Sequence, residues 1–363
     1  MGRVLVLEGP RTLRLREEDA PKPAAREVRV RALVSGISHG TELSLYRGSS
    51  AFADREFDRE LRAFVKPDPP RPTYPVRLGY SLVGVVEEVG DAVTELAPGD
   101  RVHAGVPHRE DALVDLDAAA RSTYPLVRLP AGDPPPWALF VSLGAVALVA
   151  THDAAVKLGD HVAVIGLGAI GLLLVQMARL AGAARVTAVD PVRIRRELAL
   201  ELGAHAAVDP ASAQDGAGAA IKRAGGRGLD VAIETSGAAA GLHDAIAAAG
   251  LGGRVVTVGF YQGGAGAVRL GEEWHHNRLD MVSSMGAWGA PHRAHPAWDR
   301  PRVMQTVVDL LAAGAVRVDG LPVRRFSFEQ AAEAYRWLDA NPNEAVKVAL
   351  TYDGSNPAAG GTQ

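Results

Sequence analysis

The sequence predicts an α/β protein in which a β-rich first part precedes a doubly wound parallel sheet. Three observations carry this. Short apolar runs broken by Gly and Pro fill the first third of the chain. From His161 onward, apolar strands alternate with helical segments. A glycine-rich turn, Gly166-Leu167-Gly168-Ala169-Ile170-Gly171, joins the first of those strands to the first of those helices. With 363 residues the chain has length for two domains.

Taken in order, Val4–Leu7, Arg11–Arg16 and Glu27–Leu33 read as strands. Val28, Val30 and Ala32 point one way and Arg29 and Arg31 the other, the pattern of a half-buried strand. The stretch Ser49–Pro75 reads as a long charged and Pro-rich loop, either a lid or binding segment or a tolerated surface insertion. Leu82–Val89 is a strand between Gly79 and Gly90, and Pro98-Gly99-Asp100 turns the chain into a further strand, Arg101–Ala104. HVAVIG, ARVTAVD, HAAVD, LDVAIET and GRVVTVG then read as strands. The helices between them are AIGLLLVQMARLAG, PVRIRRELALELG, a segment near Ala217–Arg223 and one near Ala239–Ala248. RVMQTVVDLLAAG and FEQAAEAYRWLDAN are amphipathic helices, and KVALTY is a final strand that can return to the first domain. The tail GSNPAAGGTQ is expected to be disordered.

Composition narrows the function classes. With 39 basic and 42 acidic residues the net charge is −3, which gives no electrostatic footprint for nucleic acid or an anionic membrane. There is no Cys, so disulfides, iron–sulfur clusters, thiolate zinc sites and a cysteine nucleophile are excluded. The N-terminus lacks an apolar signal region. The most apolar stretch, about 135 to 150, is interrupted by Pro and Gly and is expected not to span a bilayer. A cytoplasmic protein acting on a small molecule is the expectation, without nucleic-acid or membrane partners.

The G-x-G-x-x-G turn carries the strongest chemical signal, because Asp190 ends the next strand 19 residues after Gly171. Gly166 makes the tight turn, Gly168 admits a pyrophosphate to the backbone, and Gly171 lets helix and strand pack closely. Ala169 and Ile170 open the helix, whose free N–H groups and dipole favour phosphate. Asp190 can accept hydrogen bonds from the adenosine ribose hydroxyls, favouring NAD over NADP. Arg193, Arg195 and Arg196 could offset its charge.

A dinucleotide domain inserted after a β-rich domain, with a C-terminal return, resembles the medium-chain dehydrogenase/reductase superfamily. The similarity is closest to its zinc-type alcohol, threonine and polyol dehydrogenase branch. The matching stretches are SGISHGTEL, LGYSLVGVVEEVG, PGDRV, VKLGDHVAVIGLGAIGLLLVQMARLAGA and KVALTY. The S-G-I-S-x-G-T-E form followed by Y-R-G also resembles a subgroup around bacteriochlorophyllide dehydrogenases. The resemblance implies a GroES-like catalytic domain over residues 1–145 and 300–363 and a Rossmann NAD(P)-binding domain over residues 146–299. It further implies a homodimer or homotetramer.

Set against the family's G-I-C-G-T-D stretch, His39 stands at the zinc-binding Cys and Thr41 at the proton relay. Tyr80 and Ser81 stand where a G-H-E stretch supplies zinc-binding His and Glu, and Ser142 lies close to a further ligand position. The expectation is therefore no catalytic zinc and, without Cys, no structural zinc lobe. A site rebuilt on His39, Glu42 and a loop histidine is the alternative. Zinc supplies several kcal/mol by polarising a carbonyl, and one oxyanion-type donor about 3–4 kcal/mol. His39 is expected to act as acid or base, Thr41 as relay and Tyr80 as phenolic donor. Glu42 matches an acid that supports the loop. By the same match Lys347 reaches the cofactor diphosphate, or is a solvated strand end, and Arg195 lies beside the ribose. Thr235, Ser236 and Gly259 fall at strand ends where a dinucleotide lies.

The segment from Trp274 to Trp298 gathers four histidines, 275, 276, 292 and 295, without metal-ligand spacing, and reads as a cleft wall or subunit interface. The expected activity is hydride transfer between NAD(H) and a small alcohol or carbonyl compound, such as a polyol, cyclitol or sugar derivative. The rival readings are reduction of activated C=C bonds and a non-catalytic nucleotide sensor.

Overall fold

The strand Glu27–Ile37 is the spine of the first unit. Its first half alternates, with Val28, Val30 and Ala32 buried and Arg29 and Arg31 half-buried, and from Ala32 onward every residue is buried. The change falls where the C-terminal strand Lys347–Thr351 pairs antiparallel with it, Val34 opposite Thr351 and Ile37 opposite Val348. The strand therefore runs longer than its alternating part suggests. The sheet runs Val127–Arg128, Arg101–Ala104, Leu82–Val89, Glu27–Ile37, Lys347–Thr351 and Val323–Ser327, and Asp111–Asp115 also pairs with Glu27–Ile37. Thr12–Glu18, Gly2–Gly9 and Val76–Arg77 make a second, three-stranded sheet. Leu5, Leu7, Val30, Ile37, Leu82, Phe328, Tyr335 and Val348 belong to the core of this unit.

This computed structural model describes residues 2–19, 21–52, 55–69, 72–133, 135–212, 215–225, 228–266, 268–285 and 297–352. Two compact units divide the chain. The first comprises Met1–Ser142, Arg300–Ala312 and Asp319–Gln363, and the second Leu143–Asp299 and Ala313–Val318.

In the second unit six strands form one parallel sheet. In chain order they are His161–Ile165, Arg185–Val189, Ala206–Val208, Leu229–Glu234, Ala249–Thr257 and Asp280–Ser283. In space they lie third, second, first, fourth, fifth, sixth. This doubly wound order reverses between the first and fourth strands, and a crevice opens beyond their carboxyl ends. The helix Ala169–Leu180 follows the first strand and buries Leu172, Leu173, Leu174, Val175, Met177 and Ala178. Such breadth of burial fits a helix whose apolar residues are nearly continuous.

Two expectations are corrected. Ser49–Pro75 is not structureless among its described residues: Glu56–Asp58 and Ala63–Val65 form an antiparallel hairpin. Phe64 lies 5.3 Å from Phe57 and 5.5 Å from Phe52 between ring centroids, a small aromatic cluster that holds the two strands together. The apolar stretch near 135 to 150 is not broken. A 3₁₀ turn, Pro136–Phe140, runs directly into the helix Val141–Ala154. Pro136 sits at the start, where no intrahelical N–H is required. Pro136–Ala154 is long and apolar enough to cross a membrane by length and composition, and most of it is buried inside the fold. Gly286, Trp288, His292, His295 and the tail from 354 onward lie outside the described residues.

Candidate functional site

The crevice of the second unit is built around the glycine turn. Gly166 has φ of +87°, and a Cβ there would meet the Ser236 amide nitrogen at 2.7 Å. A Cβ on Gly171 would lie 1.9 Å from the Gly166 carbonyl oxygen, so only hydrogen fits between helix and turn. Gly168 is different: nothing lies within 4 Å of its Cβ position, leaving the backbone open to a ligand. Gly168 is also the N-cap of Ala169–Leu180, with no side chain capping the helix. The first amides of that helix, including those of Ala169 and Ile170, are thus suited to an anion.

Asp190 closes the crevice on one side. Its carboxylate is 4% exposed. It accepts hydrogen bonds from the Leu167 amide at 2.7 Å and the Val192 amide at 2.8 Å. The carboxylate therefore both shapes the glycine turn and retains lone pairs for a further donor. Arg195 Nη1 stands 4.0 Å from it. Arg196 donates instead to the Asp190 and Pro191 carbonyls, and Arg193 pairs with Glu197. On the other side Thr235 Oγ1 donates to the Gly166 carbonyl at 2.6 Å. The Ser236 amide donates to Glu234 at 2.7 Å, and the Gly259 amide to the Glu234 carbonyl at 3.2 Å. Sequence reasoning missed Glu234, which is fully buried. Its carboxylate gathers the Ser236 hydroxyl, the Gly237 amide and the Tyr261 hydroxyl. It ties the ends of the fourth and fifth strands into one floor.

In the first unit His39, Gly40 and Thr41 lead into the helix Thr41–Arg47, His39 half-buried and Thr41 exposed. Glu42, one residue into that helix, is 2% exposed. One of its oxygens accepts from the Ser38 amide at 2.8 Å. The other accepts from His108 Nε2 at 2.9 Å and from the Tyr335 hydroxyl. His108 Nδ1 lies 2.7 Å from Ser35 Oγ, which lies 2.8 Å from the Tyr352 hydroxyl. Burial opposes ionisation of Glu42, but the attraction of His108 and these hydrogen bonds outweigh it, holding the carboxyl below its ordinary range. His108, Tyr335, Tyr352 and Ser35 carry no spacing signal that could have grouped them in sequence.

The positions matched to zinc ligands converge on a histidine that sequence reasoning did not single out. His103 Nε2 lies 3.0 Å from Ser142 Oγ and 3.2 Å from Ser81 Oγ. His103 is fully buried, and burial with nearby Lys347 pushes its pKa down to about 3, so the ring is neutral. Its Nδ1 has no hydrogen-bond partner among the described residues. The Ser38 and Thr41 side chains lie near the Tyr80 hydroxyl, and the Tyr80 ring stacks on Tyr124 at 5.0 Å and 9°. Burial, with Tyr124 and Glu42 nearby, raises its pKa well above the ordinary phenol value, so it stays protonated as a donor.

Lys347 is not a solvated strand end. It is 2% exposed, and its Nζ donates to the Ile37 carbonyl at 3.0 Å. A Cβ on Gly36 would lie 2.8 Å from Nζ, so that glycine makes room for the ammonium. Burial lowers its pKa to about 8. The structure thus brings together His39, Thr41, Glu42 and Tyr80 at one helix start, and Gly166 to Gly171, Asp190, Arg195, Thr235, Ser236 and Gly259 around one crevice. Trp274, His275 and His276 lie in and around the short helix Glu273–His276. Among the described residues no group of three or more His, Asp or Glu is placed to hold a metal ion.

These features define a dehydrogenase with a GroES-like domain and a Rossmann domain. Residues 24–113 match the alcohol dehydrogenase GroES-like domain, and residues 169–300 the family described as zinc-binding dehydrogenase. D-guloside 3-dehydrogenase of Escherichia coli K12 is 33% identical over 358 residues, covering 96% of this chain and 99% of that protein. (R,R)-butanediol dehydrogenase of Bacillus subtilis is 31% identical over 277 residues, covering 70% and 76%. The structure of a zinc-binding dehydrogenase from Sinorhizobium meliloti, bound to NADP, superimposes with a TM-score of 0.74 at 26% identity, covering 97% and 99%. The chain belongs to the zinc-type medium-chain dehydrogenase/reductase superfamily and is an oxidoreductase, a dehydrogenase of small alcohols.

Two outcomes follow from the packing. Gly171→Ala is expected to cost about 1–3 kcal/mol in denaturant unfolding, because backbone must shift, whereas Gly168→Ala stays within about 0.5 kcal/mol of wild type and loses dinucleotide affinity in calorimetry. Glu42→Gln strands His108 and is expected to cost about 3 kcal/mol at neutral pH. A carboxyl with a lowered folded pKa stabilises above its unfolded value, near 4.5, and loses that contribution as pH falls through the folded value. The gap between wild type and Glu42→Gln therefore closes below about pH 4.5 in urea titrations; a constant gap would contradict the assignment.

Proposed function

We propose that this protein is a zinc-independent dehydrogenase that exchanges a hydride between NAD(H) and a secondary alcohol of a polyol or sugar derivative. The observation that carries the reading is the hydrogen-bonded cluster of Ser81, Ser142 and His103 at the ligand-matched positions. Catalytic zinc takes three protein ligands from Cys, His, Asp and Glu. Here two of the matched positions are hydroxyls committed to a histidine, one is a phenol kept protonated, and one is His39. That donor set does not fit zinc.

The dinucleotide fits better. The open backbone at Gly168, the uncapped helix start and the Asp190 carboxylate support a bound pyrophosphate and ribose. When bound, the nicotinamide supplies or accepts the hydride. Asp190 supports NAD, since a 2′-phosphate would face a buried carboxylate, although Arg195 beside it moderates that preference. The diol and glycoside named for the two relatives support a hydroxyl-bearing substrate.

The first unit's side chains would handle the reacting oxygen. Tyr80, stacked on Tyr124, donates a hydrogen bond to the developing alkoxide, an interaction worth about 3–4 kcal/mol. Thr41, exposed beside it, passes the proton toward His39, which serves as acid and base. Glu42 fixes the helix start on which Thr41 rides.

Turnover is expected to survive dialysis against a strong chelator, with zinc far below stoichiometric by elemental analysis. Tyr80→Phe is expected to lower kcat by about 10²–10³-fold, and His39→Ala to remove most turnover, each with NADH affinity retained by fluorescence titration. A stoichiometric metal whose removal abolishes activity would overturn the reading.

A further inference from the structure

We propose that Arg300 anchors an oxyanion on the substrate, a carboxylate or a phosphate ester carried by the polyol or sugar. Arg300 begins the helix Arg300–Ala312, which packs against Val127–Arg128 and Pro136–Phe140. The side chain is half-buried, and its Nη2 is shut off from solvent without a hydrogen-bond partner. Two other arginines of this unit that are largely withdrawn from solvent make the contrast: Arg29, 13% exposed, stands 3.5 Å from Glu88, and Arg109, 21% exposed, stands 3.2 Å from Glu18.

Burial lowers the pKa of Arg300, and Tyr124 is the titratable group that acts on it, with no carboxylate among the described residues compensating the charge. A desolvated cation without a counter-ion is costly unless a ligand brings one. The surroundings connect it to the alcohol site. Tyr124 stacks face to face on Tyr80, and Thr41 lies near the Tyr80 phenol. The order Thr41, Tyr80, Tyr124, Arg300 therefore runs from the groups proposed to handle the proton, across one pair of aromatic rings, to the guanidinium whose Nη2 lacks a partner among the described residues. The fork of a guanidinium matches carboxylate and phosphate in a bidentate manner. A neutral hydroxyl would leave the charge uncompensated.

This assignment rests on the dehydrogenase reading for its substrate but is tested apart from it. Thermal unfolding is followed with sodium D-gluconate, with inorganic phosphate and with neutral D-glucitol at matched ionic strength. For wild type, gluconate or phosphate is expected to raise Tm by about 2 °C or more above glucitol. Arg300→Met is expected to lose that increment, and Arg300→Lys, which keeps the charge without the fork, to retain part of it. Gluconate alone assigns a carboxylate and phosphate alone a phosphate ester. Equal shifts in wild type and both variants, or none in wild type, overturn the anchor. In parallel, the ratio of kcat/KM for oxyanion-bearing over neutral polyols is expected to fall about tenfold or more in Arg300→Met. A Tm increment that depends on Arg300 without turnover of either class would sink the dehydrogenase reading and keep the anchor. Turnover of neutral polyols without the increment would do the reverse.

Discussion

The buried carboxylate of Glu42 is the interaction on which the first unit's candidate site depends. A charge with 2% exposure survives only when its lone pairs are occupied. Its partners come from separate parts of the chain: Ser38 from the turn before the helix, His108 from the loop after Arg101–Ala104, and Tyr335 from the C-terminal helix Ala331–Ala340. Ser35 and Tyr352 extend the set into the two paired strands. The helix that carries Thr41 is therefore pinned in three directions by one ion. A site built on a seven-residue helix, too short to be rigid alone, gains its precision from this cluster.

The same economy governs the positions matched to zinc ligands. Buried polar groups must satisfy one another, and Ser81, Ser142 and the neutral His103 do so, the pKa of His103 being depressed by burial and nearby Lys347. Lys347 adds a buried cation nearby, accommodated by the missing side chain of Gly36 and the Ile37 carbonyl. The electrostatics here are those of fixed dipoles, this ammonium and the Glu42 carboxylate. A phenol kept protonated within them is a donor prepared before any alkoxide forms.

In the second unit, geometry separates three glycines that sequence lists alike. Gly166 answers a positive φ, Gly171 answers a close helix–turn approach, and Gly168 answers neither, since its surroundings are empty. Neither backbone strain nor packing requires a glycine at Gly168, and its backbone stands open at the helix start. Asp190 and Glu234 flank this turn as structural acids, each binding backbone amides at its own strand end. Their charges shape the crevice whether or not a ligand is present.

The sequence by itself determined whatever depends on local period and near neighbours. The alternation in Glu27–Leu33, the strand–helix rhythm from His161 and the spacing from Gly171 to Asp190 were legible because each is written within a few turns of chain. The motif positions His39, Thr41, Glu42 and Tyr80 were legible by match to a family. Tertiary structure alone decided which distant groups complete them. His103, His108, Tyr335, Glu234 and Arg300 stand in stretches without distinguishing pattern, and the contacts of His103, His108 and Tyr335 span 22 to 293 residues. Burial decided the rest: between a cation reaching the cofactor diphosphate and a solvated strand end, sequence left Lys347 open, and the packing of Lys347–Thr351 against Glu27–Ile37 makes it an enclosed cation. Desolvation is a property of the assembled layers, and no local sequence signal encodes it.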